Sequence, residues 1–168
     1  MAPVAVVVGP MGAGKTTIGQ AVAEILGVPF ADTDAMIEAR AGKAVPEIFI
    51  DDGEAAFRAL ERETVAAALA SADGVLALGG GSILDEETRA LLAGHTVVFL
   101  SVELTDAIKR VGLGAGRPLL SVNPRATMKF LLEERRPLYA SVATHTVATD
   151  GRAPEEIAAE VTALLKVV

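Results

Sequence analysis

The run Gly9-Pro10-Met11-Gly12-Ala13-Gly14-Lys15-Thr16 fits the pattern GxxxxGK[ST]. Glycines in such a loop let backbone N–H groups turn inward around a β-phosphate, and a helix that follows aims its positive end at the same anion. Lys15 then reaches the β- and γ-phosphates, and the Thr16 hydroxyl is placed to ligate Mg²⁺. The pattern needs a strand before it and a helix after it; an apolar run at 4–8 and a helical period from Lys15 supply both. These residues imply a nucleoside triphosphate with Mg²⁺, contacted by Gly12, Ala13, Gly14, Lys15, Thr16 and Thr17.

Phe30-Ala31-Asp32-Thr33-Asp34 sets two carboxylates two residues apart at the end of the second strand-like run. In an open α/β sheet ligands bind outside the carboxyl ends of the strands. A D-x-D pair taken alone reads as a solvated turn with a helix N-cap. At this edge it also meets both needs of phosphoryl transfer: a carboxylate near the metal, Asp32, and one near an acceptor hydroxyl, Asp34.

Three further features are individually weak. Gly79-Gly80-Gly81 follows an apolar run, where backbone must approach something closely or simply turn. Arg58 lies in a helical pattern, with Glu54 and Glu61 at pairing distance; Glu61 is one turn on and spaced to orient the guanidinium. Arg135 and Arg136 precede Pro137-Leu138-Tyr139, and at least one of them reads as a charged helix face. Together with an acceptor-side carboxylate they suggest a small anionic substrate in a planar guanidinium fork.

The elements that must position these groups alternate. Short β-branched runs at 4–8, 29–32, 75–78, 97–101 and 146–148 are separated by helical patterns at 15–26, 35–41, 54–71, 86–93, 103–111, 124–141 and 154–165. That is the signature of βα units feeding a parallel sheet. Asp34 and Asp85 are candidate N-caps, Gly27 a C′ glycine, and Pro154 a helix start. The segment 112–123 stands apart, with Gly112, Gly114 and Gly116 before Arg117 and Pro118, and reads as a surface loop or a mobile lid. His95 follows Gly94 at a strand entrance and His145 precedes the last strand, so both read as structural.

The chain's 168 residues carry 22 Asp plus Glu against 15 Lys plus Arg, a formal charge of -7, which describes one soluble acidic domain. There is no Cys, so thiol catalysis, iron–sulfur ligation and Cys-based zinc sites are excluded. No apolar run approaches the roughly 20 residues that span a bilayer, and no secretory leader pattern opens the chain, so the expected location is the cytoplasm. The acidic balance, no Trp and one Tyr argue against nucleic acid. Positive charge for an anionic ligand must therefore be local.

In combination the motifs resemble shikimate kinase of bacterial, particularly actinobacterial, type. The resemblance runs from Val4 to the last helix and rests on GPMGAGKTTIG, the DTD at Asp32 to Asp34, Gly53-Glu54 with Phe57-Arg58, the glycine triplet, RPLL at Arg117 to Leu120, and R-x-PLY at Arg135 to Tyr139. It implies a single domain over 1–168: a three-layer α/β/α P-loop kinase with a five-stranded parallel sheet in the order 2-3-1-4-5. A substrate module at about 33–61 and a mobile lid at about 112–124 belong to the same expectation.

The activity implied is transfer of the γ-phosphoryl group of ATP to the 3-hydroxyl of shikimate, on the route to chorismate and the aromatic amino acids, with Mg²⁺ and as a monomer. By resemblance Asp34 contacts the reacting hydroxyl, Arg58 and Arg135 hold the substrate carboxylate, and Gly79, Gly80 and Gly81 supply backbone contacts; Arg136 remains a rival to Arg135. Phe49 and Phe57 fit a hydrophobic wall, or plain core. Arg117 closes over the phosphates, while Arg110 and Arg152-Ala153-Pro154 surround adenine, with Arg110 on the ring face. Thr16 and Asp32 are the metal-side pair. Rival readings are a gluconate-type sugar-acid kinase, which should lack the RPLL and R-x-PLY combination, a nucleotide-binding module without turnover, and, further off, an adenylate-type kinase, whose phosphate acceptor needs no hydroxyl-side carboxylate.

Overall fold

Ala5–Val8 is a strand, β1, buried on both faces, as a near-continuous apolar run in a parallel sheet should be. The computed structural model describes residues 2–111 and 123–166. After β1 come α1 (Lys15–Leu26), β2 (Phe30–Asp32), α2 (Thr33–Ala41), α3 (Val45–Asp52), α4 (Glu54–Ser71) and β3 (Val75–Ala77). A single 3₁₀ turn (Ser82–Leu84) leads into α5 (Glu86–Leu92), β4 (Val97–Ser101), α6 (Leu104–Val111), α7 (Pro124–Val142), β5 (His145–Ala148) and α8 (Pro154–Lys166). The strands form one parallel sheet in the order β2-β3-β1-β4-β5, the expected topology.

Alternation along β1 divides the core. Val7 packs with Ile18 and Val22 of α1 and with Ile157, Ala158 and Val161 of α8. Val6 and Val8 face the other way, onto Val65, Ala68 and Leu69 of α4 and Leu92 of α5. Helix α7 serves both layers, giving Met128 and Leu132 to the first and Tyr139 to the second. Pro137 lies inside it and supplies no N–H to the carbonyl one turn back. A third cluster, Ile37, Ile48 and Phe57, ties α2, α3 and α4 together beside the sheet. Among the described residues no helix is long and apolar enough to cross a membrane.

Four local features differ from expectation. The cap of α2 is Asp32, not Asp34: Asp32 is extended (φ -129°, ψ 124°) and its side chain accepts from the Asp34 N–H, so the helix begins at Thr33. The Asp34 carboxylate is thereby free for other work. Helix α3 was not foreseen because its cap is remote, with Glu38 Oε2 accepting from the Val45 N–H at 2.8 Å while Ala44 at the N-cap has no side-chain oxygen. The turn at Ser82–Leu84 was not foreseen either. His145 is the first residue of β5 rather than the one before it. The other expected caps hold: the Asp85 side chain accepts from the Thr88 N–H, and Gly27 closes α1 at φ 69°.

Candidate active site

The loop between β1 and α1 is shaped by glycine: Gly12 and Gly14 have φ of 86° and 89°, a region that side chains disfavour. Lys15 folds back across it and its Nζ donates to the Pro10 carbonyl at 3.1 Å. Thr16, one residue into α1, donates its hydroxyl to Asp32 Oδ2 at 3.0 Å, while Asp32 Oδ1 accepts from the Asp34 N–H at 2.8 Å. Asp32 thus joins the head of α1 to the head of α2. The hydroxyl and carboxylate are hard oxygen donors, and among the described residues no group of three or more His, Cys, Asp or Glu could hold a metal. Such a pair suits Mg²⁺, which keeps its waters and takes one or two protein ligands plus phosphate oxygens.

Asp34 stands where the charges converge. Burial first, then the neighbouring Asp32 carboxylate, push its pKa up to about 6 from the ordinary 3.8; Lys15 pulls it down, while Glu61 and Glu38 add to the rise. A proton-accepting carboxylate with that value is well matched to work near neutral pH. The missing side chain of Gly79 makes room for it, because a Cβ there would lie 2.6 Å from Asp34 Oδ1.

Beyond Asp34 lies a buried ionic cluster on α4 and α7. Arg58 Nη1 donates to Glu61 Oε1 at 2.8 Å, and Arg58 Nε lies 3.6 Å from Glu54. Burial raises the Glu61 pKa, and Arg58, the Ser82 hydroxyl and Arg135 restrain the rise. Arg135 itself is 6% exposed, whereas its neighbour Arg136 points outward to Glu103 at 3.6 Å. Geometry therefore separates the two rivals: Arg135 lines the cleft and Arg136 does not. Next to Arg58, Phe57 and Phe49 pack with their rings tilted by 33° and centroids 4.7 Å apart, and Arg58 lies over the Phe57 ring at 5.2 Å. Phe57 is also core, packed with Ile37 and Ile48, as the second expectation for it has it.

The phosphate loop, Asp34, Arg58, Glu61 and Arg135 line one cleft of about 760 Å³. One end holds Gly12, Ala13, Gly14, Lys15, Thr16 and Thr17 with Arg110, Arg152 and Pro154; the other holds Phe49, Phe57, Arg58, Gly79, Gly80, Gly81 and Arg135. Asp32 and Asp34 line it too. Arg110 has a role the sequence did not suggest: it donates to the Gly12 carbonyl at 3.0 Å and to Thr149, binding the phosphate loop to the end of β5. Arg152 is braced by Glu156 and Glu160 and donates to the Ala148 carbonyl. Arg117 and the proposed lid lie outside the described residues, apart from Asn123 and Pro124 at its end.

Sequence reasoning missed Glu38, Val45, Pro46 and Ile157, which also line the cleft. Pro46 near a helix start was the available signal for the first three. The two histidines sit at or before the entrances of β4 and β5, opposite the edge where the cleft opens.

A family model described as Shikimate kinase matches residues 11–166. A shikimate kinase of Salinispora arenicola is 73% identical over 165 residues, covering 98% of this chain and 99% of the relative. The solved structure of shikimate kinase from Acinetobacter baumannii in complex with shikimate superposes with a TM-score of 0.94 at 36% identity, covering 100% of this chain and 96% of that one. A gluconokinase from Sinorhizobium meliloti, at TM-score 0.54 and 24% identity over 96% of this chain and 90% of its own, shares the fold alone.

Proposed function

The chain belongs to the shikimate kinase family, and on that premise we propose how its cleft carries the γ-phosphoryl group of ATP to the 3-hydroxyl of shikimate. The observation that carries the reading is the place of Asp34, close enough to feel both the Lys15 charge of the phosphate loop and the Glu61 charge of the Arg58 cluster. A hydroxyl held beside Asp34 therefore faces the phosphate end of the cleft.

Phosphoryl transfer asks the protein for alignment and charge stabilisation rather than covalent chemistry. The glycines of the loop and Lys15 hold the phosphates, with Arg110 fixing the loop from behind through the Gly12 carbonyl. Thr16 and Asp32 are the residues that would hold Mg²⁺, which when bound neutralises charge on the phosphate oxygens. Arg58 and Arg135 receive the ring carboxylate, Glu61 keeping their charges apart and oriented. Phe49, Phe57, Val45 and Pro46 form an apolar wall that suits a carbocycle better than an open-chain polyol. Asp34 accepts a hydrogen bond from the attacking hydroxyl, orients it in line and takes its proton as the bond to phosphorus forms. Arg117 closes over the transferring group, by the family's pattern.

We propose further that the enzyme acts as a monomer in the cytoplasm. The test is an ADP-release assay with ATP and Mg²⁺ comparing shikimate, gluconate, AMP and no acceptor, with Asp34→Asn as control. Turnover with shikimate alone, lost in the variant, is expected. Turnover with gluconate, or none with any acceptor despite ATP binding, would replace this reading by one of its rivals.

A further inference from the structure

The plane of the peptide between Gly80 and Gly81 turns about bonds that belong to two glycines, which no side chain restrains. A trans peptide sets C=O and N–H on opposite sides, and no cis bond occurs among the described residues. Whatever grips the Gly80 carbonyl therefore also aims the Gly81 N–H. The Tyr139 hydroxyl grips it, donating a short hydrogen bond to the Gly80 oxygen.

Tyr139 is well built for holding. It is 1% exposed, its ring stacks on Phe99 of β4 with centroids 5.1 Å apart, and it sits one helical turn after Arg135 on α7. On the far side of the triplet the backbone is hemmed in: a Cβ on Gly79 would meet Asp34 and one on Gly81 would meet the Arg58 guanidinium, with Nη2 at 2.6 Å. The Gly81 N–H has no backbone acceptor among the described residues. It is left as a donor for the occupant of the cleft, which Gly80 and Gly81 both line.

We infer that Tyr139 is a positioning residue for the acceptor: its hydroxyl locks the Gly80–Gly81 peptide so that the Gly81 N–H presents to shikimate in the geometry that Arg135 and Asp34 require. The inference rests on the reading above and deepens it. Without the hydroxyl the partly buried Gly80 carbonyl loses its partner and the peptide loses the bond that fixes its plane.

The experiment compares wild type, Tyr139→Phe and Phe99→Leu in steady-state kinetics with ATP, Mg²⁺ and shikimate, alongside thermal melts. Tyr139→Phe should raise KM for shikimate about tenfold while KM for ATP stays within about twofold. Phe99→Leu, which disturbs the ring stack and spares the hydroxyl, should lower Tm and leave KM for shikimate within about twofold. A Tyr139→Phe chain with lowered Tm but unchanged KM for shikimate reduces Tyr139 to a packing residue and overturns the inference alone. Failure of wild type to use shikimate overturns the functional reading and the inference with it. Tyr139 is the only tyrosine, so fluorotyrosine labelling yields one fluorine resonance that needs no variant to fold. Saturating shikimate should shift that resonance; a resonance that does not move also overturns the inference.

Discussion

Asp34 Oδ1 occupies the space that any side chain at position 79 would claim, since a Cβ on Gly79 would come within 2.6 Å of it and within 3.2 Å of Glu61 Oε2. Gly79→Ala must therefore push Asp34 out of line without touching the phosphate loop. Misplacement of a reacting group by about 1 Å costs on the order of a hundredfold in rate. The expected outcome is a fall of that size in kcat with ATP affinity unchanged, read from initial rates and a nucleotide titration.

The raised pKa of Asp34 links activity to pH. Ionised Asp34 is the form that accepts the hydroxyl proton, so kcat/KM for shikimate should fall as pH drops through about 6, with a slope of one proton. A pH–rate profile between pH 5 and 8 on the order of tenfold steps of proton concentration reads it directly.

The same group sets a stability cost of opposite sense. Its folded value of about 6 lies above the ordinary 3.8, so the stability it contributes is full below 3.8 and lost as pH rises through 6. Asp34→Asn removes the titration. At pH near 7 the variant should be the more stable by roughly 3 kcal/mol, raising Tm by roughly 9 °C, and the advantage should shrink to about half near pH 5. Melts across pH, set against the lost turnover, check this.

Glu61 accepts from the Arg58 guanidinium at 2.8 Å, feels the Arg135 charge and is only 4% exposed. Glu61→Gln removes the buried carboxylate that holds Arg58, leaving it only the 3.6 Å contact with exposed Glu54, and takes the compensating charge from Arg135. Shikimate KM should rise about tenfold and Tm should fall, with KM for ATP unaffected; kinetics in both substrates separate the effects.

Arg135 and Arg136 are adjacent in sequence and face opposite ways. A lysine cannot reproduce the bidentate fork, so Arg135→Lys should raise shikimate KM by roughly tenfold or more. Arg136→Lys alters only an exposed pair with Glu103 and should stay within about twofold.

The phosphate loop and the Arg58–Glu61 pair were legible because each is encoded locally or at one-turn spacing, whereas the strand order, set by pairings far apart in the chain, came only from the family resemblance. Asp32 as cap was half legible: D-x-D announced a helix start, but which aspartate turned toward backbone depended on Asp32 adopting extended geometry. Helix α3 was hidden because its cap comes from Glu38, seven residues back. The choice between Arg135 and Arg136 was hidden for a related reason, since only packing against the sheet decides which flank of α7 faces inward. Tyr139 was read as part of a motif and nothing more; its bond to Gly80 spans 59 residues and leaves no local pattern.

The phosphate loop follows β1, and β1 sits in the middle of the sheet with β3 on one side and β4 on the other. On the ribosome, where the amino-terminal end emerges first, β1 has no strand to pair with until residues 75–77 and then 97–101 have been made. The apolar face of α1 waits longer still, because Ile157, Ala158 and Val161 of α8 complete its cover. The nascent chain thus carries its phosphate loop from the start of synthesis and gains a binding site only near the end.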